Sequence, residues 1–170
     1  MIPDMCDCVI ILRNVVSYLE FEDMSVKIYL AAPLFCEAEL DYNRKLAEKL
    51  TEEGFTVILP QDLESDIEEL IKSRPDEAYR EIFNMDLVAL LSCDVLVMVM
   101  DGRVPDEGAC VELGIAYASG IECFGIKTDV RTSEYGRDNF MITGALKGRV
   151  FDNPENLGKS IRNVLGLSKD

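Results

Sequence analysis

The chain holds 170 residues, with 17 Lys plus Arg against 32 Asp plus Glu and a formal charge of −15 at pH 7. That length is enough for one domain with its own core, and 48% hydrophobic with 29% charged residues is ordinary globular usage, not that of a disordered or membrane protein. A surface this acidic repels phosphate backbones, whose capture depends on Lys and Arg, and this argues against a nucleic-acid polymer as partner.

Residues 1–23 do not fit the rhythm that follows and are expected to form an appended N-terminal extension, with residues 24–170 as the folded domain. Asp4 and Asp7 stand where a signal peptide carries basic residues. The first strand is expected at Val26 to Ala31, ended by Pro33, and a helix from about Glu37 to Glu53 carries Leu40, Ala47 and Leu50 on one stripe. Gly54 closes it. A second strand spans Phe55 to Leu59, and the polar stretch Gln61 to Ser73 is expected to be loop with one short helix.

A long helix from about Pro75 to Ser92 places Tyr79, Ile82, Phe83 and Ala89 on the same face as Asp86. The apolar run Val95 to Met100 reads as a central strand buried on both sides, and it is too short to span a bilayer. A turn-rich loop, Asp101 to Gly108, leads to a helix at Ala109 to Ala118 closed by Gly120, then a strand at Glu122 to Ile126. A charged loop covers Lys127 to Asn139, Val150-Phe151 supplies a fifth strand and Asn156 to Leu165 a last helix. This alternation predicts an α/β fold: a single-domain, five-stranded parallel sheet with helices on both faces, Rossmann-like or flavodoxin-like.

Histidine is absent. No Ser-His-Asp or Cys-His nucleophile and no His-rich zinc site can therefore be built, and acid–base work falls to carboxylates, Tyr, Lys or Cys. The six cysteines, at 6, 8, 36, 93, 110 and 123, form no C-x-x-C pair and sit mostly in apolar stretches. They read as reduced thiols of a cytoplasmic protein.

Open parallel sheets bind ligands beyond the carboxyl ends of their strands. Those ends deliver Tyr29, Gln61, Asp62, Asp101, Asp106 and the helix that holds Glu112. Glu112 lies one turn into a helix of small and apolar residues, where the dipole and free N–H groups support an ionised nucleophile. Gly108 beside it admits a close ligand. The plainer readings stay open: Glu112 as a solvent-facing helix residue, Asp86 as a structural hydrogen-bonding group, Asp101 and Asp106 as turn or cap residues. No G-x-G-x-x-G follows the first strand and no G-x-x-x-x-G-K-[ST] occurs, so dinucleotide and P-loop readings lose support. A Mg²⁺ site of Asp86, Asp101, Asp106 and Glu112 is a minority alternative; no metal or cofactor is expected.

Three segments together resemble one family. Lys27-Ile28-Tyr29-Leu30-Ala31-Ala32-Pro33-Leu34-Phe35, then Asn84-Met85-Asp86-Leu87, then Asp101-Gly102 with Pro105-Asp106-Glu107-Gly108 running through Glu112-Leu113-Gly114-Ile115-Ala116, are similar to the nucleoside 2-deoxyribosyltransferases over about residues 26–145. The resemblance implies Glu112 as nucleophile and Tyr29 as the residue that orients it. Asp86 and Asp106 match aspartates that contact sugar or base. Gln61 and Asp62 fall around the nucleobase, while Asn139 and Met141 match a pair donated across a subunit interface, which makes the protein at least a homodimer.

The implied activity is transfer of 2-deoxyribose between a deoxynucleoside and a free nucleobase through a covalent deoxyribosyl-glutamate, chemistry that needs only carboxylates. In that scheme Asp106 is the leading general-acid candidate, with Asp86 positioning the sugar. Two alternatives are carried: a 2′-deoxynucleoside 5′-monophosphate N-glycosidase, for whose phosphate Arg103, Arg131 and Arg137 are the available loop cations, and a non-catalytic nucleotide-binding module.

Overall fold

Period-2 alternation along short apolar runs decides which side of the sheet each residue faces. In the computed structural model, which describes residues 25–63, 67–132 and 134–167, five such runs form one sheet. The extension expected at 1–23 lies outside the described residues. The elements in chain order are β1 (Lys27–Ala31), α1 (Glu37–Glu52), β2 (Thr56–Ile58), α2 (Pro60–Leu63), α3 (Ile67–Ser73) and α4 (Pro75–Leu91). They continue with β3 (Val95–Val99), α5 (Glu107–Ala118), β4 (Glu122–Ile126), α6 (Phe140–Ala145), β5 (Val150–Phe151) and α7 (Pro154–Val164).

All pairings are parallel, in the order β2-β1-β3-β4-β5. The α/β fold with a five-stranded parallel sheet, Rossmann-like in layout, is as the sequence predicts. Ile28, Leu30 and Ala32 face one side with Val95, Val97 and Val99, packed under α1 and α7. Tyr29 and Ala31 face the other with Leu96, Met98 and Met100, packed under α4, α5 and α6. The order reverses at β1, whose neighbours are β2 and β3, so a crevice opens between the β1 and β3 exits.

Local chemistry explains the ends of these elements. Gly54 takes φ +90 after α1, a conformation that a side chain resists. Gly125 on β4 has no room for a Cβ, which would lie 2.8 Å from Leu146 Cδ1 and 3.0 Å from Met100 Sδ; the bare backbone lets the end of α6 close onto the sheet. On the opposite side Arg162 of α7 donates to Glu53 Oε2 at 2.7 Å and lies over the Phe55 ring, bracing α7 against the end of α1.

Three local expectations change. The 61–73 stretch contains two helices, α2 and α3, where one short helix is expected. Helix α6 has no counterpart in the sequence reading, because six residues that include Thr143 and Gly144 carry too short a pattern to register. On α4 the buried row is Ala78 and Leu90, with Ile82 and Asp86 between them at spacings of four, whereas Tyr79 and Phe83 are 61% and 51% exposed. Asp86 therefore shares its face with the core row and not with the aromatic pair. Among the described residues no helix is long and apolar enough to cross a membrane.

Candidate active site

Helix α5 is the element on which the site is built. Asp106 starts it as N-cap: its Oδ2 accepts from the Ala109 N–H at 2.8 Å, satisfying one of the donors a helix start leaves free. A Cβ on residue 108 would sit 3.0 Å from that same oxygen, so Gly108 leaves space for the capping carboxylate. From the cap, Ala109, Leu113 and Ala116 follow as the stripe pressed on the sheet. Glu112 is three residues after Ala109 and so belongs to that stripe.

Its carboxylate therefore points at the sheet, where the β1 residue facing this side is Tyr29, itself fully buried. The Tyr29 hydroxyl donates to Glu112 Oε1 at 2.6 Å, a short charge-assisted bond. Burial raises the Glu112 pKa from its ordinary value to about 7; the Tyr29 hydrogen bond opposes the rise, and the charges of Asp86 and Asp106 add to it. Burial, with Glu112 next to it, pushes the Tyr29 phenol far up, so it stays protonated as a donor.

Asp86 reaches the same centre from α4. Burial raises its pKa, and its Oδ1 is buried with no hydrogen-bond partner. Desolvation of this kind disfavours the charged carboxylate. A phenol from β1 and a carboxylate from α5 are thus in contact, and the charges of Asp86 on α4 and Asp106 at the start of α5 act on that carboxylate.

The remaining residues singled out in the sequence are placed differently. Asp101, at the exit of β3, accepts from Thr128 N, Thr128 Oγ1 and Asp129 N at 2.6, 2.6 and 2.7 Å, so its carboxylate ties the β3 exit to the β4 exit. Gln61 is held from behind: Asn43 Nδ2 donates to its Oε1 at 3.1 Å and to the Pro33 carbonyl at 2.9 Å, while Gln61 Nε2 donates to the Leu40 carbonyl at 3.3 Å. Asn43 is buried and was not singled out in the sequence; an Asn inside a helix otherwise rich in Glu and Lys is its only signal there. Asp62 is exposed and lines a separate groove of about 520 Å³ between α1 and β2 with Arg44, Thr51 and Val57.

Asn139 caps α6, its Oδ1 accepting from Met141 N at 2.9 Å and Ile142 N at 3.3 Å, and Met141 is 84% exposed. Among the described residues no three His, Cys, Asp or Glu side chains gather as a metal cage would require. Of the loop cations, Arg131 is engaged by Asp129 and Arg103 lines the cleft.

The cleft itself, about 500 Å³, opens between the β1 and β3 exits and is walled by Pro33, Phe35, Glu39, Asp101, Arg103 and Asp106 among others. Phe35 and Val104, 78% and 74% exposed, are large apolar side chains in its wall.

Comparisons with known proteins show the family and the fold. The sequence profile of the family described as "Nucleoside 2-deoxyribosyltransferase" matches residues 28–157. No curated protein is a significant match. Among solved structures, a conserved protein from Enterococcus faecalis is 27% identical, with 82% of this chain and 99% of that one covered at a TM-score of 0.67. A 2-deoxyribosyltransferase from Bacillus psychrosaccharolyticus is 24% identical over 78% of this chain and 90% of that one, TM-score 0.65. One from Leishmania mexicana is 20% identical over 81% and 96%, TM-score 0.58. At 24% and 20% identity the last two likenesses speak to the fold alone.

Proposed function

Because the chain belongs to the nucleoside 2-deoxyribosyltransferase family, an enzyme family that works on nucleosides, we propose that it moves 2-deoxyribose between nucleobases by double displacement on Glu112. The observation that carries this reading is the 2.6 Å bond from Tyr29 to Glu112 at the carboxyl end of the sheet, which fixes one carboxylate oxygen and leaves the other for attack.

In the first step a Glu112 oxygen attacks C1′ as the glycosidic C–N bond breaks. The electron pair leaves with the base nitrogen, which takes a proton from a neighbouring carboxyl. We assign that proton to Asp86 in preference to Asp106: burial holds Asp86 toward the protonated form, whereas Asp106 is engaged in capping α5. In the second step a nitrogen of the incoming base attacks C1′, its proton returns to Asp86 and Glu112 is released. A sugar without an electron-withdrawing 2′-hydroxyl reaches the cationic transition state more easily, which suits deoxyribose. Water in place of the second base gives hydrolysis.

A second copy of the chain fits the same reading. Phe140 and Met141, 58% and 84% exposed, follow Asn139, whose Oδ1 is used in the cap. A neighbour docked on that edge would take Asn139 and Met141 toward its own cleft.

The test is to mix the protein with deoxyinosine and adenine and follow the nucleosides by chromatography. Deoxyadenosine is the expected product, and protein quenched during turnover should carry a deoxyribose adduct on the peptide containing Glu112. Loss of deoxyinosine with no deoxyadenosine means hydrolysis, and no turnover of any nucleoside or nucleotide refutes the catalytic reading.

A further inference from the structure

Asn43 stands on α1 one turn before Leu46 and Ala47, in the stripe that packs on the sheet, and at 2% exposed it is the one buried polar residue among those described. An apolar side chain would continue that stripe at no polar cost. The amide acts instead as a clamp. Its Nδ2 donates to the Pro33 carbonyl at 2.9 Å, beyond the end of β1, and to Gln61 Oε1 at 3.1 Å, beyond the end of β2, while Gln61 Nε2 donates on to the Leu40 carbonyl at 3.3 Å. The two backbone carbonyls fix both amides, because reversing either one would set its oxygen against a carbonyl oxygen. Asn43 Oδ1 is left buried without a partner among the described residues, a cost that the two donor bonds offset. Pro33 is part of the cleft wall, so one end of the clamp reaches the space a ligand enters. Helix α1 covers the face of the sheet opposite to α5, which carries Glu112. In a displacement at C1′ the leaving base lies on the far side of the carbon from the attacking carboxylate, away from α5 and toward the bank of Pro33 and the β2 exit. Gln61 keeps one N–H and one oxygen lone pair unused by these bonds, a donor and an acceptor that a nucleobase edge can match.

We propose that Asn43 is a positioning residue for the nucleobase: without touching the ligand, it holds the Pro33 carbonyl and the Gln61 amide in one arrangement across the β1 and β2 exits, so that the base meets a preformed edge. The assignment rests on the reading of the crevice as a deoxynucleoside site. It names a residue that sets how tightly the base is held there, while the chemistry at the sugar is left to Glu112 and its neighbours.

The test follows transfer from deoxyinosine to adenine in wild type, Asn43→Ala, Asn43→Ser, which keeps one donor, Gln61→Leu, and each Asn43 variant combined with Gln61→Leu, with thermal unfolding as the check on folding. Asn43→Ala should raise the KM for adenine about tenfold, the scale of one lost hydrogen bond, and change kcat by less than about threefold. Asn43→Ser should fall between Asn43→Ala and wild type. Each combined variant should be little worse than Gln61→Leu alone, because most of what the clamp holds is already gone. A merely structural role would lower the amount of active enzyme, and with it kcat and the unfolding temperature, and leave the KM for adenine unchanged; that result overturns the assignment. So does a KM effect that multiplies independently in the combined variants. Where Asn43→Ala does not fold, the serine variant and its combination with Gln61→Leu give the same comparison. Wild type that turns over no nucleoside refutes the deoxynucleoside reading itself, and the role of Asn43 falls with it, whereas an unchanged KM in folded, active variants refutes the role alone.

Discussion

Tyr29 and Glu112 stand 83 positions apart in the chain and meet in a 2.6 Å hydrogen bond. Two periodicities bring them together: the alternation of β1 turns Tyr29 to the side covered by α5, and the three-residue step from Ala109 turns Glu112 down toward it. In a chain without histidine, the phenol does what a second titrating ring does elsewhere, holding a carboxylate in one orientation without removing its charge.

Replacing Glu112 by Gln should lower transfer by on the order of 10³-fold or more, the loss expected when a nucleophile is deleted. The fold should gain. The folded protein holds a proton on Glu112 up to about 7, above the carboxylate's ordinary value of 4.5, so between those values the native state binds more protons than the unfolded chain and stability falls as pH rises. Glu112→Gln carries no charge to bury and should therefore be more stable than wild type at pH 8, by roughly 1–3 kcal/mol, with little difference at pH 4. Thermal unfolding at the two pH values checks this.

The pH profile of kcat/KM should rise through about 7 as Glu112 loses its proton. Tyr29→Phe removes the hydrogen bond that works against burial, so the rising limb should move to higher pH while the rate at its plateau falls about 10-fold. A limb unchanged in that variant would mean that another group sets it.

Asp86→Asn should cost about 10² to 10⁴ in transfer from purine deoxynucleosides, the range of general-acid assistance. A deoxyribosyl substrate whose leaving group needs no proton should lose far less. The same comparison on Asp106→Asn separates the two carboxyls: if Asp106 supplies the proton, the leaving-group rescue appears there instead.

Phe140 and Met141 give a test of assembly. Sedimentation of wild type should show a dimer or larger species, and Met141→Lys should shift it toward monomer and lower activity together. A variant that stays assembled and fully active would place the interface elsewhere.

The sheet was legible because Val95 to Met100 and Glu122 to Ile126 are apolar runs bounded by turn residues, and α1 carries Leu40, Ala47 and Leu50 on one stripe. What escaped was mostly local or tertiary in origin. Helix α6 is too short to have a period, and the exposure of Tyr79 and Phe83 depends on how α4 rolls against α5, which spacing on α4 alone does not fix. The pairing of Tyr29 with Glu112 is implied by the family resemblance, whereas the partners of Asp101 and Gln61 have no signal in the sequence. That Asp101 would face Thr128 and Asp129, and that Gln61 would be gripped by Asn43, depends on contacts between segments far apart in sequence.

The Asp101 tie has a mechanical corollary. The segment from Gly102 to Pro105 is anchored at one end by four bonds to the β4 exit, one of them from the Gly102 N–H to Asp129 Oδ2 at 3.3 Å, and at the other by the Asp106 cap, with Gly102 at φ +122 making the turn. That side of the crevice is a short span between fixed posts. A ligand too large for it has to displace the opposite bank, from Pro33 to Cys36.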